Sequence, residues 1–141
     1  EELAPNVVLL TNRFNKLSQW VSTCIVQQVK RKKRTKIVEW FISLAQKCAD
    51  YFDFHAVVAI LGGIQDPSVS RMKITWEGVS PRFQNMFTEL RNIIQLNDNW
   101  ASYRRILASK ISSKQGCVPY LGIYLKDLIF IEDGLPDNLL H

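Results

Sequence analysis

The sequence predicts an all-α fold. Apolar residues recur at spacings of three and four along most of the chain, which places them on one side of a helix. Alternation with a period of two is absent except for a few residues at 128–131, which fit a helix equally well. No repeat of about 20–50 residues indicates a solenoid. With 141 residues and 47% hydrophobic content, the chain is long enough for one core, so we expect a single domain.

The first two helices follow from long apolar patterns. Pro5 suits a first helical turn, and the pattern after it predicts a helix over about 5–29. A second pattern begins at Ile37 and ends near Phe52. Between them lies the segment KRKKRTK at 30–36, with six positive charges in seven positions. We interpret this basic run as a solvated connection between the two helices.

The basic run also bears on partners. Clustered Lys and Arg residues can bind nucleic acid or an anionic membrane. No aromatic residue interrupts the run to stack on bases, so we expect no nucleic-acid partner. Peripheral membrane contact through the Lys30–Lys36 region stays open as an alternative.

A third helix is predicted to form a buried spine. Asp53 is a suitable N-cap, and residues 56–64 are almost wholly apolar, as expected of a helix surrounded by other helices. Gly62 and Gly63 fit close packing of a neighbouring helix. The segment QDPS at 65–68 carries the signals of a helix end and a new start.

Two more helices follow. A short helix is predicted from Val69 to about Trp76, and Gly78 ends it. Ser80 and Pro81 then provide an N-cap and a first-turn residue for a helix that reaches Ile94.

The last third of the chain contains two further helices. A polar turn at 97–99 precedes a helix that includes Trp100 and Leu107. Residues 118–120 are expected to be extended, because a proline biases the preceding residue away from the helical region. Helical spacing returns over 121–132, before Gly134 and Pro136 end it.

The residues offer little for covalent catalysis. His55 and His141 are the two histidines, and the sequence has no HExxH, GxSxG or GxxxxGK[ST] motif. We interpret His55 as structural. Glu132 and Asp133 are neighbours and point to different sides of a helix, so they cannot form a facing acid/base pair. Three widely separated cysteines without ligand spacing predict neither zinc nor disulfides, and we expect no cofactor.

Targeting signals are also missing from the sequence. No stretch approaches about 18 uninterrupted apolar residues, and the first residues lack a signal peptide's basic and apolar regions. We therefore expect a soluble, cytoplasmic protein, with recruitment to the inner membrane surface as an additional option.

Three segments resemble a known family in the correct order. These are RFNKLSQWV at 13–21, a run over 54–77 that contains AILGG, SRMK and TWE, and PYLGIYLKDL at 119–128 followed by FIEDG at 130–134. Each motif is modest alone, but together they cover nearly the whole chain. The chain resembles the catalytic domain of the Ras-family guanine-nucleotide exchange factors.

The resemblance implies a particular architecture. The family's catalytic domain is an irregular orthogonal array of helices with a protruding helical hairpin. It has helices before the first motif and a second hairpin helix after the last one. We therefore interpret residues 1–141 as a single, incomplete catalytic domain that holds only the first hairpin helix.

The resemblance also implies an activity. Such a protein promotes GDP release from a Ras-, Rap- or Ral-like GTPase by binding the nucleotide-free form more tightly, without hydrolase or transferase chemistry. The alternative is a non-catalytic docking or scaffold module that keeps the fold.

The family's contact residues can be carried over to this sequence. An aromatic and aliphatic cleft holds the GTPase's switch 2 segment, and aromatic side chains suit such anchoring. The residues alone favour plain core positions for Val58 and Leu61. The matching positions are Thr11, Asn12, Val58, Leu61, Gln65, Trp100 and Tyr120.

The hairpin helix supplies the remaining positions. Ile129 matches the apolar residue that the family directs toward the GTPase's magnesium site. Asp133 matches an acidic residue that competes for the phosphate-binding loop. Gln65 stands where many members have asparagine, and Asp133 is shorter than the commoner glutamate.

Overall fold

The computed structural model describes residues 4–94, 97–113 and 116–134. Within these ranges the regular structure is helical and contains no strand, so the all-α prediction is confirmed. The helices are α1 (Pro5–Val26), α2 (Arg31–Asp50), α3 (Phe54–Gln65), α4 (Pro67–Ser70), α5 (Lys73–Glu77), α6 (Pro81–Ile93), α7 (Ala101–Ser112) and α8 (Leu121–Gly134), with a 3₁₀ helix at Asn97–Trp100. Pro136 and His141 lie outside the described residues.

Helix α3 is the buried spine that the sequence predicts. Its side chains join those of α1, α2 and α6 in the central cluster, which includes Val21, Phe41, Ile60 and Leu90. A Cβ atom at Gly63 would lie 2.4 Å from the carbonyl oxygen of Ser18 and 2.6 Å from Cβ of Val21. Glycine is therefore required where α1 crosses α3.

Two aspartates begin helices as the sequence predicts. The Asp53 carboxylate accepts a hydrogen bond from the backbone N–H of Ala56 at 3.0 Å, at the start of α3. Asp66 accepts from the N–H of Ser68 at 2.8 Å, at the start of α4. The hydrogen bonds from Ser68 hold the pKa of Asp66 below its ordinary value.

Helix α6 begins at Pro81 as predicted, but Ser80 caps it differently. The Ser80 side chain makes no capping hydrogen bond. Instead, the backbone N–H of Ser80 donates to Oε1 of Glu39 at 2.9 Å. A carboxylate from α2 thus caps the start of α6. The two residues are 41 positions apart in the sequence, so no local pattern predicts this contact.

The basic run is not a connection, so that interpretation is wrong. Helix α2 begins at Arg31 and includes most of the run. The Arg34 guanidinium donates to the carbonyl oxygen of Gln28 and to the Thr75 hydroxyl, both at 2.8 Å. Thr35 is buried and donates to the Thr75 carbonyl oxygen at 3.3 Å. These contacts stabilise the helical start, which the apolar spacing alone did not reveal.

Two further boundaries differ from the predictions. Helix α1 ends at Val26, three residues before the expected end. The single short helix expected after Val69 is two helices, α4 and α5. The chain leaves the helical conformation at Met72, where ψ is 66°. The Val69 carbonyl oxygen accepts from the N–H of Met72 and from the indole of Trp76, which fixes this break.

A second group of buried side chains lies between the Trp100 region, α7 and the first turn of α8. This Tyr103 cluster consists of Phe54, Trp100, Tyr103, Leu107 and Ile123. The extended segment predicted at 118–120 lies beside it. There the N–H of Phe54 donates to the carbonyl oxygen of Val118, and the N–H of Val118 donates to that of Phe52, both at 2.9 Å.

Helix α8 is held to the body of the domain through its first half. Ile123 is its one buried residue. Residues 128–131 all expose more than half of their side-chain surface although they are apolar. The second half of α8, hereafter the arm (residues 128–134), therefore projects from the body.

None of the helices in the described ranges combines the length and apolar character needed to cross a membrane.

Candidate functional site

Aromatic rings from four parts of the chain meet around Tyr120. The Tyr120 ring centroid lies 5.4 Å from that of Phe14 in α1 and 5.8 Å from that of Trp100. Phe14 in turn makes an edge-on contact with His55 of α3 at 5.2 Å. Rings at these separations attract each other beyond their burial alone. Phe14, His55 and Tyr120 are half-buried and Trp100 is buried, so the group forms an apolar surface at the base of α8.

The backbone of Tyr120 is held from beneath. Its N–H donates to the Tyr103 hydroxyl oxygen at 2.9 Å, and the Tyr103 ring packs edge-on against Phe54 at 5.1 Å. Burial raises the pKa of Tyr103 to about 12 and also raises the pKa of Tyr120. Both phenols are therefore neutral near pH 7, and the surface around them is apolar without added charge.

The Tyr120 ring lies against one face of α8. A Cβ atom at Gly122 would come within 2.4 Å of the far end of that ring. Residues 126, 129 and 133 follow Gly122 at spacings of four, three and four, so all of them share this face. Ile129 and Asp133 consequently lie on the side of α8 that faces the aromatic group, about 10 and 16 Å farther along the helix.

An ion pair fixes the direction of the arm. The Arg104 guanidinium of α7 donates to both carboxylate oxygens of Asp127, at 2.9 and 2.8 Å. Asp127 lies just before the arm, and roughly a third of each side chain is exposed. One guanidinium nitrogen, Nη2, contacts both oxygens, and this charge-assisted contact restrains α8 at Asp127.

Helix α3 extends the surface away from the arm. Half-buried Val58 lies one turn beyond His55, and exposed Gln65 lies two turns farther along the same side. Gln65 also borders an open groove of about 720 Å³ between α3, α5 and α6. The groove's other lining residues include Trp76 and Phe87, whose rings are 5.2 Å apart.

The structure separates the predicted contact residues into accessible and buried ones. Thr11 and Asn12 are exposed on α1, and the Thr11 hydroxyl donates to the Val7 carbonyl oxygen at 2.9 Å. Ile129 exposes 58% of its surface, and Asp133 is exposed as well.

Two predicted contact residues are buried. Leu61 exposes none of its surface because α3 turns it into the central cluster. This position agrees with the plain core role that the residues alone favour, and a direct contact of Leu61 with a partner stays a prediction. Trp100 exposes only 8% of its surface, and its ring packs beneath the half-buried ring of Tyr120, with the two centroids 5.8 Å apart.

Sequence reasoning missed several residues that shape this site. Phe14 lies within the RFNKLSQWV motif, and its place in this family motif could have indicated that it belongs to the site. Tyr103 and Arg104 had no comparable signal, because 17 and 23 residues separate them from Tyr120 and Asp127.

Within the described ranges, no group of three or more His, Cys, Asp or Glu side chains is arranged to hold a metal ion.

Comparisons with known proteins point to one family. A family model described as the RasGEF domain matches residues 1–141. Over 133 residues the chain is 38% identical to Ras guanine nucleotide exchange factor M of Dictyostelium discoideum, covering 94% of this chain and 14% of that protein. It is 41% identical over 141 residues to factor E of the same organism, covering 99% of this chain and 13% of that protein. For factor G the identity is 39% over 131 residues, with coverage of 93% and 8%. The chain thus spans a small part of the length of these relatives.

Proposed function

The chain belongs to the RasGEF domain family, and from this premise we propose that its protein promotes guanine-nucleotide release from a Ras-like small GTPase. The relatives it matches are named as Ras guanine nucleotide exchange factors. We propose a Ras-, Rap- or Ral-class GTPase as the target and the cytoplasm as the location. We further propose that residues 1–141 are part of a larger catalytic domain with helices before and after them.

The observation that carries the proposal is the projecting face of α8. It presents Ile129 and Asp133 on the side of the Tyr120 ring, with both side chains exposed. Ile129 exposes 58% of its surface, and a side chain so exposed can exclude water and a cation from a partner's site. A carboxylate one turn beyond it can compete with phosphate oxygens for backbone N–H donors.

These two residues explain how nucleotide would be displaced. Bringing Ile129 toward the magnesium site makes cation binding unfavourable because the ion loses hydration and ligands. Bringing Asp133 to the phosphate-binding loop satisfies donors that the nucleotide phosphates otherwise occupy. One helix face would thereby weaken both the cation and the anion interactions of the bound nucleotide.

Exchange also requires a preference for the nucleotide-free GTPase. Coupling between two ligands is reciprocal, so a protein that weakens nucleotide binding must itself bind the empty GTPase more tightly. Each tenfold weakening requires about 1.4 kcal/mol of preferential binding. The half-buried ring of Tyr120, with Phe14 beside it, is suited to supply this as an apolar anchor for the switch 2 segment, and Val58 lies one turn along α3 from His55.

The decisive experiment measures release of fluorescent GDP from Ras, Rap and Ral proteins by the full-length protein. We expect acceleration of at least one of them. Ile129→Ala should slow the release about 30-fold, because the truncated side chain no longer excludes the cation, and Asp133→Asn should slow it about tenfold. The matched controls are Ile131→Ala, which exposes a similar 55% but lies on another side of α8, and Glu132→Gln.

The outcomes separate exchange from simple docking. No acceleration of any GTPase, together with equal binding of the loaded and nucleotide-free forms, would make the protein a docking module. Tyr120→Ala should weaken binding of the nucleotide-free GTPase while far-ultraviolet circular dichroism stays unchanged. A loss of helicity in that variant would instead assign Tyr120 to the core.

A further inference from the structure

A basic surface with an apolar border lies where α1 ends and α2 begins. We define the basic patch as the exposed cations Lys30, Arg31, Lys32, Lys33 and Lys36. Val29 precedes the patch and exposes 92% of its surface. Trp40 follows Lys36 by one helical turn on the same side of α2 and exposes 53%. Charge and apolar area are therefore contiguous on this surface.

The basic patch is electrostatically unfavourable for the isolated protein. Five cations lie together at the N-terminal end of α2, whose first turn contains no acidic residue. The positive end of the helix dipole repels cations at this position. In the part of the chain that the structure describes, the two ion pairs are Lys47–Asp50 and Arg104–Asp127, so neither neutralises the patch.

The fold uses only one cation of the run for its own stability. Arg34 turns inward and binds Gln28 and Thr75, as described above. The five cations of the basic patch point to solvent, and their charges repel one another. An anionic partner would relieve both this repulsion and the unfavourable dipole interaction.

We propose that the basic patch, with Val29 and Trp40, docks the protein onto an anionic phospholipid bilayer. Each Lys or Arg close to such a bilayer gains from the negative surface potential. Tryptophan prefers the level of the lipid headgroups, and an exposed valine can enter the boundary of the acyl chains. The long stems of the lysines can lie along this boundary while their ammonium groups stay with the phosphates.

The apolar border distinguishes a bilayer from a nucleic acid. Binding to a nucleic-acid backbone uses the cations alone, and its apolar readout requires rings on which bases can stack. The exposed ring of Trp40 can serve a bilayer or an unpaired base, but Val29, the most exposed of these border side chains, gains nothing from phosphate or from stacking. Against a bilayer, both Val29 and Trp40 contribute.

Docking here would leave the proposed exchange site open. Phe14, which contacts Tyr120, and Val26, beside the basic patch, are twelve residues apart on α1. Twelve residues of α-helix span about 18 Å. A bilayer at one end of α1 therefore need not cover the aromatic group or the arm at the other, and membrane docking does not depend on the exchange activity.

The test is partitioning of the full-length protein onto vesicles of phosphatidylcholine with about 30% phosphatidylserine, measured by sedimentation. Lys32→Gln/Lys33→Gln/Lys36→Gln should lower the partition coefficient on the order of a hundredfold, since each cation contributes roughly a fivefold factor. The matched control, Lys47→Gln/Arg82→Gln/Arg105→Gln, makes the same change in net charge at exposed positions elsewhere, from +5 to +2. It should lower partitioning only a few-fold.

The apolar border has its own variants. Val29→Gln and Trp40→Gln should each reduce partitioning several-fold without changing affinity for double-stranded DNA. Tyr51→Gln, at the far end of α2 and 80% exposed, should leave partitioning unchanged. Val29 is so exposed that its variant cannot fail by misfolding.

Three results would overturn the proposal. Equal losses in the two triple variants would show a general charge effect, and binding to pure phosphatidylcholine at the same strength would show no role for anionic lipid. DNA binding that depends on the basic patch, with no vesicle binding, would make the surface a nucleic-acid site. Nucleotide release measured without vesicles should be equal in the wild type and the lysine variant, so failure of docking and failure of exchange are observed separately.

Discussion

Two clusters of buried side chains hold the helices together, and they differ in how closely their helices pack. In the central cluster, α1 and α3 approach until a single Cβ atom at Gly63 would contact the Ser18 backbone. In the Tyr103 cluster, a few rings, one phenol hydrogen bond and one ion pair hold the base of a projecting helix. The first cluster is surrounded by partly buried side chains, of which Trp76 and Phe87 border the open groove, and the second opens onto the half-buried rings around Tyr120.

This difference indicates that the two clusters have separate roles: the central cluster stabilises the fold, and the Tyr103 cluster positions the surface proposed to contact a partner. A close-packed interface cannot shift without losing many contacts, so the central cluster should unfold only with the whole domain. The Tyr103 cluster has fewer buried groups, and substitutions there should change the position of the arm before they change the global fold. Four substitutions test this division.

The largest effect is expected at the helix crossing of the central cluster. Gly63→Val should lower the free energy of unfolding by about 3 kcal/mol, because its Cβ meets backbone and Val21 atoms that cannot move aside. Chemical denaturation measures this. Gly62→Ala is the control, since its Cβ would lie 3.2 Å from the movable Ser18 hydroxyl. Equal effects at both glycines would mean that the crossing is looser than described.

A second substitution probes the open cluster through Gly122. Gly122→Ala should displace the Tyr120 ring, whose far end lies 2.4 Å from the new methyl position, and should slow nucleotide release about tenfold, or ~1.4 kcal/mol. Stability should change little, because the ring can swing outward and alanine favours a helix. Gly134→Ala, with no atom within 4 Å of its added methyl, should leave release unchanged. Unaltered release in Gly122→Ala would remove Tyr120 from the site.

The hydrogen bond beneath Tyr120 should have a smaller effect, and its size should depend on pH. Tyr103→Phe leaves the Tyr120 N–H without its acceptor and should cost about 1 kcal/mol at pH 8. The folded protein keeps the Tyr103 proton up to a pKa of about 12, whereas the unfolded chain releases it near 10.0. The stability contributed by this phenol is therefore fully present below pH 10 and is lost as the pH rises toward 12.

Denaturation of the wild type and Tyr103→Phe at several pH values checks the sign. The stability advantage of the wild type should shrink between about pH 10 and 12, and the other titrating groups cancel in the difference. An advantage that stays constant over this range would mean that Tyr103 is not buried as described.

The smallest effect is expected at the ion pair of the arm. Arg104→Gln should lower the free energy of unfolding by about 0.5 kcal/mol, because both partners are partly exposed to screening solvent. It should also slow nucleotide release several-fold, since α8 loses a contact that orients it. Lys47→Gln removes the more exposed pair with Asp50 and should change neither quantity measurably. A larger stability loss at Arg104 than at Gly63 would reverse the comparison of the two clusters.

Local sequence patterns predicted the helical class and most helix boundaries. The apolar spacing located the buried spine, and Asp53 and Asp66 cap helices where local chemistry predicts them. These features depend on residues within a few positions of one another, so a local pattern contains them. The family motifs further indicated a helix ending near Asp133, and α8 does extend to Gly134.

The accessibility of each side chain, in contrast, depends on the packing of the whole domain. Leu61 and Val58 are three residues apart on one helix, yet the first is buried and the second is half exposed. Trp100 was expected inside a helix but lies just before α7 in a left-handed backbone conformation, with φ at 61°, and its ring is buried beside Tyr103. Such outcomes depend on neighbours distant in sequence, and no local spacing specifies them.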